Sequence, residues 1–321
     1  MSYKYLAAID IGTNSFHMII AKILDDGSFR IVDREREVIR LASLTGNNLS
    51  LIEEEEILRA IRILKKFKKV AIFYNAGIQA RATSAVREAI NKDEFIKRVF
   101  AETEIQIETI NGSEEARLIY LGISKALPLH DKKSLCIDIG GGSTEFVLAD
   151  KGNIIYAESV KIGAVRLSKK FFDDYILTEN SIRECSDYAG QQILSNRNIN
   201  FKENFDVAVG SSGTIESVAA MSAAKNKWEA EKSLNNFVYS KQDLEEVADI
   251  ILEKKTSKER LKIKGLEAKR ADIIPGGVII LKKIFEIFSI EKITISEFAL
   301  REGIIMDFIS KNGSPSPNFF S

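Results

Sequence analysis

The sequence has 321 residues, 45% of them hydrophobic, and its 46 Lys and Arg balance 46 Asp and Glu. That length suggests two domains with sizeable cores. Zero net charge argues against a chain-wide field for nucleic acid, so a bound polyphosphate or nucleotide would have to be held by local loops and a cation.

No apolar run approaches the roughly 20 residues needed to cross a bilayer, and the N-terminus lacks a signal-peptide h-region. The two cysteines, Cys136 and Cys185, have no CxxC neighbour, which suits a reducing compartment. The expectation is a soluble cytoplasmic protein with no membrane and no nucleic-acid partner.

The first half opens with three strands, Tyr5 to Ile9, Phe16 to Leu24 and Phe29 to Val38. Asp25-Asp26-Gly27 is a turn signal, so these read as antiparallel hairpins. Glu53 to Glu56 suits the positive end of a helix that continues to about Lys69. A strand from Gly77 to Ala82, helices from Ser84 to Ile90 and Asn91 to Ala101, and a strand from Glu104 to Ile110 follow. Ser113 is the expected cap of a helix from Glu114 to about Leu127, which Pro128 ends.

The second half repeats the pattern, with strands Ser134 to Asp138, Glu145 to Ala149 and Ile154 to Ile162. Helices are expected from Ala164 to Phe172 and Thr178 to Ser195, then a strand from Phe205 to Val209. Gly210-Ser211-Ser212-Gly213-Thr214 reads as a further small-residue turn. Helices from Lys241 to Glu253 and Arg270 to Phe288, a strand from Lys292 to Ile295 and a helix from Phe298 to Ser310 complete the pattern. Residues 254–270 hold eight lysines and arginines and read as a solvated, mobile basic loop, the alternative being a rim that guides a polyanion. The expected division is 1–128 with helix 298–310, then 129–297, then a loose tail over 311–321.

Two stretches carry the chemistry. Asp138-Ile139-Gly140-Gly141-Gly142-Ser143-Thr144-Glu145 follows a buried-strand pattern. Its glycines allow close backbone approach and positive φ. Successive amides there can form a concave nest for an anion, and Ser143 and Thr144 add hydroxyls. Asp138 and Glu145 would repel phosphate unless a hard cation such as Mg²⁺ lies between. Asp10-Ile11-Gly12-Thr13-Asn14-Ser15 repeats the Asp-Ile-Gly-x-x-Ser pattern near the N-terminus. The repetition implies two related domains facing each other across a cleft, each offering a phosphate loop. His17 and His130 are the only histidines and make no metal site; His17 reads as a strand-face residue.

With both loops placed, the chain resembles the actin-like ATPase superfold, an α/β fold of two actin-like (ribonuclease H-like) domains. Within it, the sequence is similar to the exopolyphosphatase and guanosine-pentaphosphate phosphohydrolase (Ppx/GppA) family. The resemblance covers nearly the whole chain. It rests on Asp10 to His17, Ala82 to Ala89, Glu114 to Leu118, Asp138 to Phe146, Gly210 to Ile215 and Arg270 to Gly277.

It implies hydrolysis of a phosphoanhydride, releasing terminal phosphate from polyphosphate or converting guanosine pentaphosphate to the tetraphosphate. Glu115 matches the glutamate that activates the attacking water, although Glu114 and Glu115 also suit a helix dipole. Asp138 and Glu145, with Asp10 helping, would hold Mg²⁺; a monovalent cation such as K⁺ is left open. Gly12, Thr13, Asn14, Ser15, Gly140, Gly141, Gly142, Ser143 and Thr144 would grip phosphate, and Arg87 matches an arginine that contacts it. Gly210, Ser211, Ser212 and Gly213 form a further candidate loop. Ser211 stands where threonine is common in the family.

Long family members carry extra C-terminal helical domains that extend a polyphosphate channel and help dimerise. This sequence resembles the short, two-domain type, which leaves a homodimer open and favours shorter chains or the alarmone. The competing readings are a small-molecule kinase on the same superfold and a non-catalytic alarmone sensor.

Overall fold

A computed structural model describes residues 3–41, 43–45, 48–225 and 233–312. Part of the expected 311–321 tail, residues 313–321, lies outside them. The chain divides into two compact units, residues 1–125 with 298–321, and residues 126–297.

The first unit begins with β1 (Tyr5–Ile11), β2 (Ser15–Ile23) and β3 (Phe29–Val38), then a small hairpin of β4 (Ser43–Thr45) and β5 (Asn48–Leu51). There follow α1 (Glu54–Phe73), β6 (Gly77–Ala82), α2 (Ser84–Glu88), α3 (Lys92–Thr103), β7 (Ile107–Thr109) and α4 (Gly112–Ala126). In the second unit come β8 (Lys133–Ile139), β9 (Thr144–Asp150), β10 (Asn153–Val160), α5 (Ala164–Phe171), α6 (Glu179–Leu194), β11 (Val207–Ser211) and α7 (Ser212–Lys225). It continues with β12 (Val238–Ser240), α8 (Lys241–Glu253), α9 (Ser257–Arg260), α10 (Ile274–Ile287) and β13 (Lys292–Ile295). The chain then returns to the first unit as α11 (Leu300–Asn312).

The sheet orders show the internal repeat. The first sheet runs β3-β2-β1-β6-β7 and the second β10-β9-β8-β11-β13-β12. Apart from β12 at the far edge, the five positions correspond one to one. In both, a meander of three antiparallel strands leads from its first strand into a parallel half. The first strand of each repeat is central, which explains its unbroken apolar run: Leu6 to Ile9 and Leu135 to Ile137 are all buried. Each unit encloses its own apolar cluster, one around Ile9, Phe16, Leu64 and Phe95, the other around Ile137, Phe146, Leu281 and Phe285.

Several elements depart from the expected reading. Asn111, not Ser113, caps α4: its Oδ1 accepts from the Glu114 amide at 2.8 Å and from the Ser113 hydroxyl at 2.9 Å. The helix α7 begins where a turn was expected and runs on through 14 residues. Its sequence, Ser-Gly-Thr-Ile-Glu-Ser-Val-Ala-Ala-Met-Ser-Ala-Ala-Lys, is small and apolar on most sides, so no helical stripe stands out. The basic stretch over 254–270 is folded rather than loose, holding α9 and a turn of 3₁₀ helix. Within it Arg260 is 0% exposed and donates to the carbonyls of Ala271 (2.5 Å), Lys254 (2.7 Å) and Tyr175 (2.8 Å). One of the eight basic residues is therefore a staple between backbone segments, because a buried guanidinium must fill its donors.

Candidate active site

Each unit builds its loop in the same way. In the first, the β1–β2 turn closes with the Gly12 amide donating to the Ser15 carbonyl (3.3 Å); in the second, the β8–β9 turn closes with Gly140 and Ser143 (3.0 Å). The loop glycines do not use positive φ, contrary to expectation; among the described glycines that conformation belongs to Gly27, Gly152 and Gly265. What they contribute is the missing Cβ.

The carbonyls of both turns are engaged by the segment after the third strand of the meander. The Thr13 carbonyl accepts from the Leu41 amide, and the Asn14 carbonyl from the amides of Ile39 and Arg40. Correspondingly, the Gly140 carbonyl accepts from Ala164 and the Gly141 carbonyl from Val165 and Arg166. The Gly142 carbonyl accepts from Nε of Arg166 at 2.7 Å. A trans peptide points its N–H opposite to its C=O. Fixing these carbonyls inward therefore turns the amides of Asn14 and Ser15, and of Gly141, Gly142 and Ser143, the other way. That is the amide arrangement a phosphate nest requires.

Gly163 makes the second turn possible. A Cβ there would stand 2.5 Å from the carbonyl of Gly141 and 2.6 Å from the amide nitrogen of Gly142. In the first loop, Thr13 Oγ1 and Asn14 Oδ1 are buried without a hydrogen-bond partner. Such atoms need an explanation in a native fold, and an absent ligand or water supplies one.

Carboxylates flank the turns. Asp138 and Glu145 are direct cross-strand partners on β8 and β9, so their side chains share a face at neighbouring positions. Ser211 donates its hydroxyl to Asp138 Oδ2 at 2.6 Å, and Ser159 donates to Glu145 Oε1 at 2.7 Å. Both bonds orient acceptor-only groups. Two oriented carboxylates fit a Mg²⁺ ion completed by water and substrate oxygens, since that ion uses few protein ligands. No group of three or more His, Cys, Asp or Glu fit to hold a metal occurs among the described residues. Asp10 lies on β1 of the other unit, opposite His17 in the equivalent register.

Glu115 sits in the first turn of α4 and is only 6% exposed. Its Oε2 accepts from Nη1 of Arg87 at 2.7 Å, and the same nitrogen donates to the Ile110 carbonyl at 3.0 Å. Arg87, on the short helix α2, is thus a partner of the candidate base rather than an exposed helical arginine. Neighbouring Glu114 takes a different part, pairing with Arg117, which also reaches Asp307 at 2.6 Å.

Two expected donors are engaged within the fold. The Thr144 hydroxyl donates to the Ile162 carbonyl at 2.8 Å, so its proton holds the backbone. The Gly210–Gly213 stretch is a strand-to-helix junction rather than a free turn: Ser212 takes φ +71° and donates to the Ile139 carbonyl at 2.8 Å. Gly213 lets the Arg270 guanidinium lie directly against the backbone, in space a Cβ would occupy. Sequence reasoning did not single out Arg166, Ser159 or Gly163. The internal repeat was the signal available for Gly163 and Arg166, because their segment matches residues 39–41, whereas Ser159 falls at the register of Arg36 on β3.

Comparison with known proteins accords with this construction. The Ppx/GppA phosphatase family matches residues 19–312. The chain belongs to that family. It is 32% identical over 303 residues to a putative exopolyphosphatase of Haemophilus influenzae, covering 94% of this chain and 90% of the relative. It is 33% identical to a bifunctional 3-dehydroquinate synthase/phosphatase of Fusobacterium nucleatum, spanning 46% of that longer protein. Among solved structures, an exopolyphosphatase from Cytophaga hutchinsonii superposes with a TM-score of 0.88 at 29% identity, covering 97% of this chain and all of that one. The Aquifex aeolicus member of the Ppx/GppA family gives 0.79 at 28%, covering 98% and 100%. The two units are therefore the actin-like α/β domains of this phosphatase family. No described helix is long and apolar enough to cross a membrane.

Proposed function

We propose that the chain is a Mg²⁺-dependent exopolyphosphatase that releases the terminal phosphate of inorganic polyphosphate, with Glu115 as the general base. The observation that carries the reading is the buried Glu115 carboxylate, held by Arg87 at the start of α4. A base for phosphoryl transfer must be fixed, and this one has little freedom.

In the proposed reaction Glu115 accepts a proton from water as the water oxygen bonds to the terminal phosphorus. The bridging P–O bond breaks, and its electron pair leaves with the shortened chain; the products are orthophosphate and a polyphosphate one unit shorter. The loop amides would hold phosphoryl oxygens, and Arg87 carries positive charge beside Glu115. Asp138 and Glu145 would hold Mg²⁺, which would supply charge neutralisation on phosphoryl oxygens. Guanosine pentaphosphate offers the same kind of bond, so its turnover belongs in the same assay.

The test is phosphate release from polyphosphates of defined length and from guanosine pentaphosphate, with Mg²⁺ and with excess chelator. The wild type should release phosphate only with Mg²⁺, and Glu115→Gln should bind substrate without turnover. Tight binding with no release by the wild type would favour a sensor; phosphate transferred to an acceptor would favour a kinase.

A further inference from the structure

His17 lies on β2, between the first phosphate turn and the returning helix α11. Its Nε2 stands 2.7 Å from Ser15 Oγ, and its Nδ1 stands 3.2 Å from Nη1 of Arg301. A guanidinium can only donate. Nδ1 must therefore offer a lone pair to Arg301, and the ring's proton resides on Nε2. That proton is donated to Ser15 Oγ. A hydroxyl that accepts on one side must direct its own hydrogen elsewhere.

We infer that Arg301, His17 and Ser15 form a hydrogen-bond relay that presents the Ser15 hydroxyl as a donor to a substrate phosphoryl oxygen. His17 is then a positioning residue rather than a group that touches the reacting atoms. The inference rests on the reading of residues 12–15 as a phosphate loop. Ser15 closes that turn and is 8% exposed. Ionised phosphoryl oxygens accept hydrogen bonds and do not donate them, so a hydroxyl presenting its lone pair would repel them. With both ring nitrogens assigned, the hydroxyl has one useful orientation left. The relay also gives α11 a function. It joins two positions 284 residues apart in sequence and ties the end of the described chain to the first phosphate loop.

The test combines a tautomer measurement with a double-mutant cycle. Two-bond ¹H–¹⁵N spectra should show His17 as the Nε2–H tautomer; the chain has two histidines, so a His17 variant assigns the signals. An Nδ1–H tautomer would overturn the relay. His17→Leu and Ser15→Ala should each raise KM for polyphosphate about tenfold with kcat nearly unchanged. The double variant should be no worse than either single one, since both remove the same bond. His17→Gln, whose amide replaces the Nε2 donor, should recover most of the affinity.

Additive losses, or a Gln variant as weak as Leu, would assign His17 a purely packing role. The same cycle is read by calorimetric affinity for imidodiphosphate, a non-hydrolysable anhydride analogue. That readout survives even if the enzyme turns over none of the substrates offered, so a failed relay and a failed functional assignment give different results.

Discussion

Arg87 Nη1 stands 2.7 Å from Glu115 Oε2 and 3.0 Å from the Ile110 carbonyl, so one guanidinium nitrogen joins α2, the end of the strand region and α4. The pair is mostly enclosed, with side-chain exposures of 19% and 8%. Removing the cation deprives a nearly buried carboxylate of the Arg87 donor, a loss of about 1–3 kcal/mol. Arg87→Met should lower the urea midpoint by a corresponding amount and depress kcat/KM. Glu115→Gln keeps the packing and should retain stability while kcat falls at least about a hundredfold. Equal stability losses in the two variants would mean that the pair is structural only.

Ser211 and Ser159 make a second prediction. Each donates to one carboxylate of the Asp138–Glu145 pair. Partners that orient metal-binding carboxylates typically change affinity by about 10–100-fold. Ser211→Ala should therefore raise the Mg²⁺ concentration for half-maximal activity about tenfold, with recovery of kcat at saturating Mg²⁺. Ser211→Thr retains the hydroxyl and should stay close to wild type. A Ser211→Ala enzyme with unchanged Mg²⁺ dependence would remove Asp138 from the cation site.

Gly163 tests the second loop through its backbone. A Cβ would meet the Gly141–Gly142 peptide at 2.5–2.6 Å, and a peptide cannot swing aside as a flexible side chain does. Gly163→Ala should cost about 1–3 kcal/mol of stability. It should also raise KM, because the displaced peptide carries amides proposed to hold phosphate. An alanine variant with native KM would show that these amides do not hold substrate.

The cysteines set an alkaline limit. Burial pushes both the Cys136 and the Cys185 thiol up to about 12. An unfolded thiol ionises near 8.5. Above that pH the unfolded chain binds fewer protons than the folded one, so stability falls as pH rises. The contribution is complete below about 8.5 and is lost progressively towards about 12. Between pH 8.5 and 10.5 the wild type should lose more stability than Cys136→Ala or Cys185→Ala, by about 1.4 kcal/mol per pH unit for each thiol removed. Parallel pH profiles in chemical denaturation would contradict the burial argument. Neither thiol should react with a maleimide in the folded protein at pH 7.5.

The duplicated Asp-Ile-Gly-x-x-Ser pattern and the three-strand meanders were legible in the residues because hairpins and turns are local. A buried central strand prints a continuous apolar run, and a two-residue turn prints its glycine. The sites of Glu115, Asp138 and Glu145 within their elements could be read in the same way. α7 escaped because a helix built from alanine and serine shows no apolar stripe.

Side-chain partnership was not legible. Arg87 meets Glu115 across 28 positions, Ser211 meets Asp138 across 73 and Arg301 meets His17 across 284. Such pairs depend on sheet register and on which helix returns to which sheet, and those are properties of the packed core. By itself, the chain's sequence determined which turns repeat the Asp-Ile-Gly-x-x-Ser pattern and which carboxylates flank them. Tertiary structure alone decided which way each carboxylate, hydroxyl and peptide points, because buried donors and acceptors are oriented by whichever partners packing brings within reach.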